Sequence, residues 1–281
     1  MYEHVLTQRQ LSAFAAQLRR EERSAGTTEK YLRDVGRFAR WLEGRPVTAE
    51  LAAAWREHLT AQGYASVTVN SMISPLNHLF RFLGWDECRI KFLKIQRRVF
   101  RDQGRELTRP EYDRLLEAAR RRGEDRLALL MEAICSTGVR VSEVRYLTVE
   151  AARAGRAEVR LKGKIRTILL PGKLCRKLLK YVKTQKTVSG EIFLTRNGTG
   201  LGRRQIWAEM KRVCREAGVI PSTVFPHNLR HLFATTFYRA CKDIVRLADV
   251  LGHSSIDTTR IYLMTTGEEH ARLLDRLGLI S

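Results

Sequence analysis

The sequence predicts a mainly α-helical protein with a small antiparallel β-sheet, divided into two domains. Three observations predict it. Residues 7–84 carry four stretches of apolar residues at helical spacing, punctuated by Gly and Pro, with no strand pattern among them. Over residues 91–105 (KFLKIQRRVFRDQGR) the periodicity fades and the charge rises, and a capping-box sequence then opens a new helix at Thr108. β-prone residues first gather after residue 156, on either side of Lys162-Gly163-Lys164. These observations place a helical domain over residues 1–93, a basic linker over 94–105 and a second domain of mixed α and β structure over 106–281.

In the first domain, residues 7–22 put Leu11, Phe14, Ala15 and Leu18 on one helical face. Gly26-Thr27-Thr28 opens a second helix, with Tyr31, Val35, Phe38 and Leu42 in one stripe, and Gly44-Arg45-Pro46 ends it. Thr48 caps a third, with Leu51, Trp55 and Leu59 inward and Gly63 as its stop. Ser66 is the expected cap of a fourth, with Val69, Ile73, Leu76 and Phe80 inward and Gly84 after it. Four such helices make a bundle of about 80 residues. It has no paired carboxylates and no metal-ligand spacing, which is the profile of a binding module.

In the second domain, Thr108 and Glu111 form the capping box. A mostly apolar, buried helix is expected over 125–136, stopped by Thr137-Gly138, and 139–144 starts another helical turn. Strands are expected at 157–161, at 165–170 and, shorter, at 191–194. Helices follow at 173–186, 203–217, 228–240 and 244–251, the last capped by Asp243 and stopped by Gly252. A short helix starts near Ser255, and residues 268–277 suit a final amphipathic helix with Ala271, Leu274 and Leu277 on one face.

Composition narrows the function. The chain has 281 residues, 44% of them hydrophobic, so it folds rather than forming a basic tail. Its net charge of +21 exceeds what solubility needs and points to a polyanion, most simply nucleic acid. Charge is basic in both parts: 16 Lys and Arg against 10 Asp and Glu in residues 1–100, and 35 against 20 beyond. Arg97 and Arg98 in the linker are candidates for tracking phosphates; a solvated hinge is the plainer alternative. Five cysteines at wide spacing, without Cys-x-x-Cys or a Cys/His cluster of zinc spacing, read as buried thiols of a reducing cytoplasm. No apolar stretch has the length of a bilayer and no signal peptide follows Met1, so a cytoplasmic protein without a membrane partner is expected. No Walker A loop, Gly-rich dinucleotide loop or magnesium-holding carboxylate cluster is present, so neither cofactor nor metal is expected.

The chemistry gathers elsewhere. His227 and Arg230 are three apart and share a helical face. His253 follows the helix-stopping Gly252, and Tyr262 lies nine residues further on. Singly, each has an ordinary structural explanation as a cap or a core residue. Together they suit a phosphate: a guanidinium fork for two oxygens, imidazoles to donate or move a proton, and a phenol as nucleophile. A second arginine is the missing part, and Arg140, at the entry to an otherwise apolar helix pair with Glu143 one turn later, supplies it. A purely structural Arg140–Glu143 pair is the alternative. Lys162 and Lys164, beside the turn glycine, are usually solvent decoration, but a long ammonium on a hairpin can reach a ligand lying over the domain.

At this point the residues resemble a known family, the tyrosine recombinases or phage integrases. Four signatures stand in the family's order: Thr137-Gly138-Val139-Arg140-Val141-Ser142-Glu143, the Lys162-Gly163 hairpin, Pro226-His227-Asn228-Leu229-Arg230-His231, and Leu251-Gly252-His253-Ser254 with Tyr262 after it. The resemblance covers essentially the whole chain. It implies a SAM-like core-binding domain followed by an α+β catalytic domain, acting on double-stranded DNA core sites as a site-specific recombinase. It further implies that Arg140 and Arg230 clamp the scissile phosphate and that His227 and His253 donate to it, with His227 also moving the nucleophile's proton. Lys162 would protonate the leaving 5′ oxygen, Tyr262 would form a 3′-phosphotyrosyl intermediate, and Glu143 would support Arg140. The turn between the strands is shorter than the family's usual form. Lys162 precedes the turn glycine as the family lysine does and is chosen over Lys164. The resemblance also implies a homotetramer on two duplexes, with residues 268–277 docking on a neighbour, needing neither metal nor ATP. No arm-binding domain of the larger phage integrases is expected, and a mobile element is the favoured setting. A type IB topoisomerase and a catalytically idle DNA-binding protein are the competing expectations.

Overall fold

The computed structural model describes residues 4–95, 106–161, 164–262 and 274–277, the side chains of Leu161 and Lys164 excepted. The chain divides into two units, Met1–Arg97 and Arg98–Ser281. Arg97, Arg98 and nearly all of the 94–105 linker fall outside the described residues.

The first unit is the expected bundle. Helix α1 (Gln8–Arg20) starts at a capping box in which the Gln10 amide donates to Thr7 Oγ1 and the Thr7 amide to Gln10 Oε1. Helix α2 (Ala25–Leu42) is capped by Ser24, ahead of the expected Gly26 opening, and α3 (Ala49–Ala61) by Thr48. Helix α4 (Ser66–Leu83) corrects one expectation: Ser66 is its first residue and not its cap. Ala65 holds the extended cap conformation, and its carbonyl already accepts from Thr68 and Val69, so the helix begins before Ser66 can cap it. The expected stripes meet as one core, with Phe14, Phe38, Trp55, Ile73, Leu76 and Phe80 all buried.

Beyond α4 the chain turns back along it. The side chain of Asn77 donates to the Ile90 carbonyl (2.9 Å) and accepts from its amide (2.8 Å); Asn70 does the same with Leu93 (2.9 and 2.8 Å).

In the second unit, α5 (Arg109–Arg121) opens at the Thr108–Glu111 capping box. It packs on α6 (Asp125–Thr137) and on α9 (Arg203–Ala217). Helix α6 stops at Gly138, in the left-handed conformation at φ +64°; a Cβ there would lie 2.5 Å from the Phe233 ring, so only glycine fits. The helical turn expected over 139–144 is a 3₁₀ segment, Val141–Tyr146. Glu143 reaches back to the Arg140 amide (2.9 Å) and tightens the winding there.

After α7 (Val149–Ala154), β1 (Arg156–Leu161) and β2 (Lys164–Leu169) pair antiparallel, Leu161 opposite Lys164 and Val159 opposite Arg166. Ala157, Val159 and Ile168 face the core, while Ile165 and Leu169 are exposed. The third strand expected at 191–194 is not found among the described residues. Glu191 and Leu194 form only isolated bridges, and Ile192 and Phe193 are held by burial rather than by a ladder. Neighbouring backbone groups bond locally, Thr195 to Thr199 and Leu201 to Phe193.

Helix α8 (Gly172–Thr184) covers α7, and α10 (Pro226–Cys241) lies against α6. Helices α11 (Ile244–Leu251) and α12 (Ile256–Arg260) follow. The expected 268–277 helix falls mostly outside the described residues. All five cysteines are free; Cys88, Cys175 and Cys214 are buried as expected, but Cys135 and Cys241 are only half-buried. No helix among the described residues is long and apolar enough to cross a membrane.

Candidate active site

Helix α10 begins with Pro226 in its first turn, followed by His227 and, one turn later, Arg230. Arg230 is 3% exposed. Its guanidinium donates to the Gly138 carbonyl, to the Leu251 carbonyl (2.8 Å) and to His253 Nε2 (3.0 Å), and the Tyr262 hydroxyl lies close enough to act on its charge. Burial pulls its pKa below the usual arginine value, and Arg140 pulls the same way. Arg140 sits at the N-cap of the 3₁₀ segment. It donates to Glu143 Oε1 (2.8 Å) and to the Gly252 carbonyl (3.3 Å) while staying partly exposed.

The Arg140–Glu143 pair therefore exists, and it leaves Arg140 partly exposed at a cavity. Glu143 is almost wholly buried and serves a second arginine, Arg166 of β2, whose Nη1 lies 3.1 Å from Oε2.

A helix C-terminus leaves its last carbonyls without helical partners. At the end of α11, the Gly252 and His253 amides take up Ala248 and Asp249. The next three carbonyls each accept from a different arginine: Val250 from Arg166 (2.8 Å), Leu251 from Arg230 and Gly252 from Arg140. The negative end of the helix dipole thus faces the cations.

His253 is pushed down to about 4, chiefly by burial and then by Arg230, Arg140, Arg166 and His227. The imidazole is therefore neutral at pH 7. Arg230 can only donate, so Nε2 accepts, and Nδ1 carries the proton that Thr259 Oγ1 receives at 2.9 Å. His227 is also lowered, by burial, Arg230, Arg140 and Arg203. With both imidazoles neutral, three guanidiniums face a single buried carboxylate, and the cluster is short of negative charge.

Tyr262 is 4% exposed and packs with Ala234, Leu247 and Leu251. Its ring stacks on His253 (centroids 5.9 Å apart), meets His231 edge-on (5.0 Å) and lies 6.3 Å from His227. Arg140, His227 and Arg230 open onto a cavity of about 680 Å³, rimmed also by Arg203, Arg204 and Trp207 of α9.

The model of the phage integrase family matches residues 105–269, and that of the phage integrase N-terminal SAM-like domain matches residues 11–87. The chain belongs to the phage integrase family. Among tyrosine recombinases it is similar to XerA of Pyrococcus furiosus, 30% identical over the whole of this chain and 98% of the other. It is likewise similar to XerA of Thermococcus kodakarensis, 31% identical over 95% and 96%. Among solved structures, a lambda integrase dimer bound to a COC′ core site has a TM-score of 0.72 at 20% identity, covering 92% of this chain and 95% of the other. The Tn1549 transposon integrase with circular intermediate DNA has a TM-score of 0.69 at 20% identity, covering 94% and 98%. These likenesses establish the mainly helical fold with its SAM-like first domain.

Of the residues singled out in this tyrosine recombinase, Arg140, Glu143, His227, Arg230, His253 and Tyr262 are brought together. Lys162, Arg97 and Arg98 lie outside the described residues. Lys164 opens β2, opposite Leu161. Sequence reasoning missed Arg166, Thr259, His231, Arg203 and Arg204. For the last two a signal existed: two cations in the first turn of α9 oppose the helix dipole, so an anion nearby would relieve them. Metal ligands converge at one place among the described residues, His4, Glu87 and Cys88 of the first unit. There His4 and Glu87 satisfy each other, and burial pushes the Cys88 thiol up to about 11.

Proposed function

We propose that this recombinase cuts and rejoins double-stranded DNA at core sites through Tyr262. The observation that carries the reading is the convergence of Tyr262 with Arg230, His227 and His253 in one chain, beside a second arginine still open to a ligand. A phosphodiester placed against Arg140 and Arg230 would meet guanidinium donors on its nonbridging oxygens, where negative charge grows as the phenol attacks. The attack forms a bond from the Tyr262 oxygen to phosphorus and breaks the bond from phosphorus to the 5′ oxygen. The 3′-phosphotyrosyl link keeps the energy of the phosphodiester, so rejoining needs no ATP. His227 would take the phenolic proton, and Lys162 would give one to the leaving oxygen. A phosphate at His253 would favour its doubly protonated form, which donates from Nε2 while Nδ1 keeps Thr259. The arginines and imidazoles supply the positive field, so the reaction would run without a metal.

The first domain, residues 1–93, would grip the core site, aided by Arg97 and Arg98 of the linker and by Lys164. Lambda integrase and Tn1549 integrase, both solved on DNA, support that partner. Four protomers on two duplexes, with residues 268–277 docking on a neighbour, and a cytoplasmic location complete the reading.

The test uses a pool of randomised duplexes, each nicked so that a cleaved strand cannot religate, incubated with the protein in EDTA. A denaturation-resistant protein–DNA band in the wild type, absent in Tyr262→Phe, is the expected result, and sequencing the trapped DNA identifies the core site. A band formed by Tyr262→Phe would move the nucleophile elsewhere. A band that needs added metal would sink the metal-free step.

A further inference from the structure

Arg166 has no part in the chemistry above, yet it is built into the same structure. It occupies an inward position of β2, between Val159 of the partner strand and Ile168, where an apolar side chain would ordinarily sit. Its side chain is 13% exposed, and its Nε is buried without a hydrogen-bond partner. An arginine in such a place costs stability unless its remaining contacts repay the desolvation. Burial lowers it to about 10, which leaves it charged at neutral pH.

The contacts it does make are to a group that holds another arginine and to a neighbour of the carbonyls that hold Arg140 and Arg230. Nη1 binds Glu143, the carboxylate that also takes Arg140. Nη2 binds the Val250 carbonyl, next in the chain to the carbonyls that take Arg230 and Arg140. Gly252 is fitted to it as well: a Cβ there would fall 2.3 Å from Arg166 Cδ and 2.7 Å from its Nε. One side chain thus joins the hairpin, the 3₁₀ segment and the end of α11.

We propose that Arg166 is a positioning residue of the recombinase, a buried strut that fixes Glu143 and the Val250–Gly252 turn so that Arg140 meets the phosphate in one orientation. Arg166 does not touch DNA. It acts through Glu143, and a carboxylate held from both sides cannot swing away with Arg140 when the phosphate arrives. The lone buried Nε is the cost of that arrangement. The inference rests on the proposed roles of Arg140 and Tyr262.

The experiment measures single-turnover adduct formation by the full chain on a nicked duplex recovered from the pool above, with DNA affinity and thermal unfolding measured alongside. Arg166→Met should slow the adduct by about 10–100-fold, the range for groups that orient a reacting shell, with DNA affinity within about twofold. Arg166→Lys should recover part of the rate. In the Glu143→Gln background, Arg166→Met should cost much less than it does alone, because the two act as one unit. Gly252→Ala, which displaces the Arg166 side chain, should slow the adduct in the same way. Arg166→Met with a wild-type rate, while Tyr262→Phe stays silent, would overturn the positioning role and leave the reading of Tyr262 standing. A slowing matched by an equal loss of folded protein, or full additivity with Glu143→Gln, would also overturn it, reducing Arg166 to a structural residue. Absence of any adduct with the wild type would overturn both.

Discussion

The two units bury different things. The first has a core of aromatic and aliphatic side chains, and the one buried charge among its described residues, Asp34, is answered by Lys30 and Arg33 of the same helix. Among its described residues the second buries Glu143, Arg230 and Thr259, each bonded to groups within the candidate site, and also Thr137, Glu209, Thr223 and Asn228. Its polar interior includes bonds between segments far apart in sequence, such as Arg230 with Gly138 and Arg140 with Gly252. A core built only to fold avoids such groups, because burying them gains little and losing one partner costs much. The contrast teaches where to expect stability and where to expect chemistry.

It can be broken in several places. The largest effect is expected from Tyr262→Phe, which removes a single oxygen: the adduct should vanish while DNA affinity, measured by gel shift, holds. Arg230→Ala comes next. It should lower the cleavage rate by about 10²–10³ and also reduce the unfolding free energy by about 1–3 kcal/mol, since the Gly138 and Leu251 carbonyls lose a donor. Phe38→Ala in the first unit should cost about 3–5 kcal/mol in denaturant unfolding yet leave the adduct rate of folded, DNA-saturated protein unchanged. A rate loss there would show that the two interiors are not independent.

A smaller effect distinguishes the units by pH. His253 and His227 are lowered in the folded state, so the unfolded chain binds their protons more readily. Their stabilising contribution is full above about pH 6.5 and fades as pH falls towards the folded values, near 4 for His253. The second unit should therefore lose stability across that window, and His253→Gln should flatten its profile; an unchanged profile would count against the neutral, Thr259-bound imidazole. The smallest effect is Asn77→Ala, which should cost about 1–3 kcal/mol in the first unit only.

The helices of both units, the six-residue α7 excepted, were legible because their apolar spacing and caps are local, and Thr48, Thr108 and Asp243 cap as expected. The strand expected at 191–194 misled, since its β-prone residues are buried by contacts that no local pattern records. Six site residues could be named because the types and spacings in Thr137–Glu143 and Phe225–Tyr262 suit a phosphate. Arg166 escaped because Ile165-Arg166-Thr167-Ile168-Leu169-Leu170 alternates on either phase, with apolar residues on both faces. The hairpin itself held the answer: pairing Leu161 with Lys164 sets Arg166 opposite the inward Val159. Thr259 was passed over because a threonine becomes informative only once His253 is seen to face it.

The Asn70 and Asn77 clamps fix the length of chain between their partners. The two asparagines are two helical turns apart, about 10.5 Å along α4. Their partners Leu93 and Ile90 are three extended residues apart, about 10 Å. A helix and an extended strip therefore share one rung spacing, like two scales read against each other. Adding or removing a residue between Ile90 and Leu93 would unpair one clamp, so that stretch has a fixed length. Length changes beyond Leu93 would leave the bundle's fastening intact.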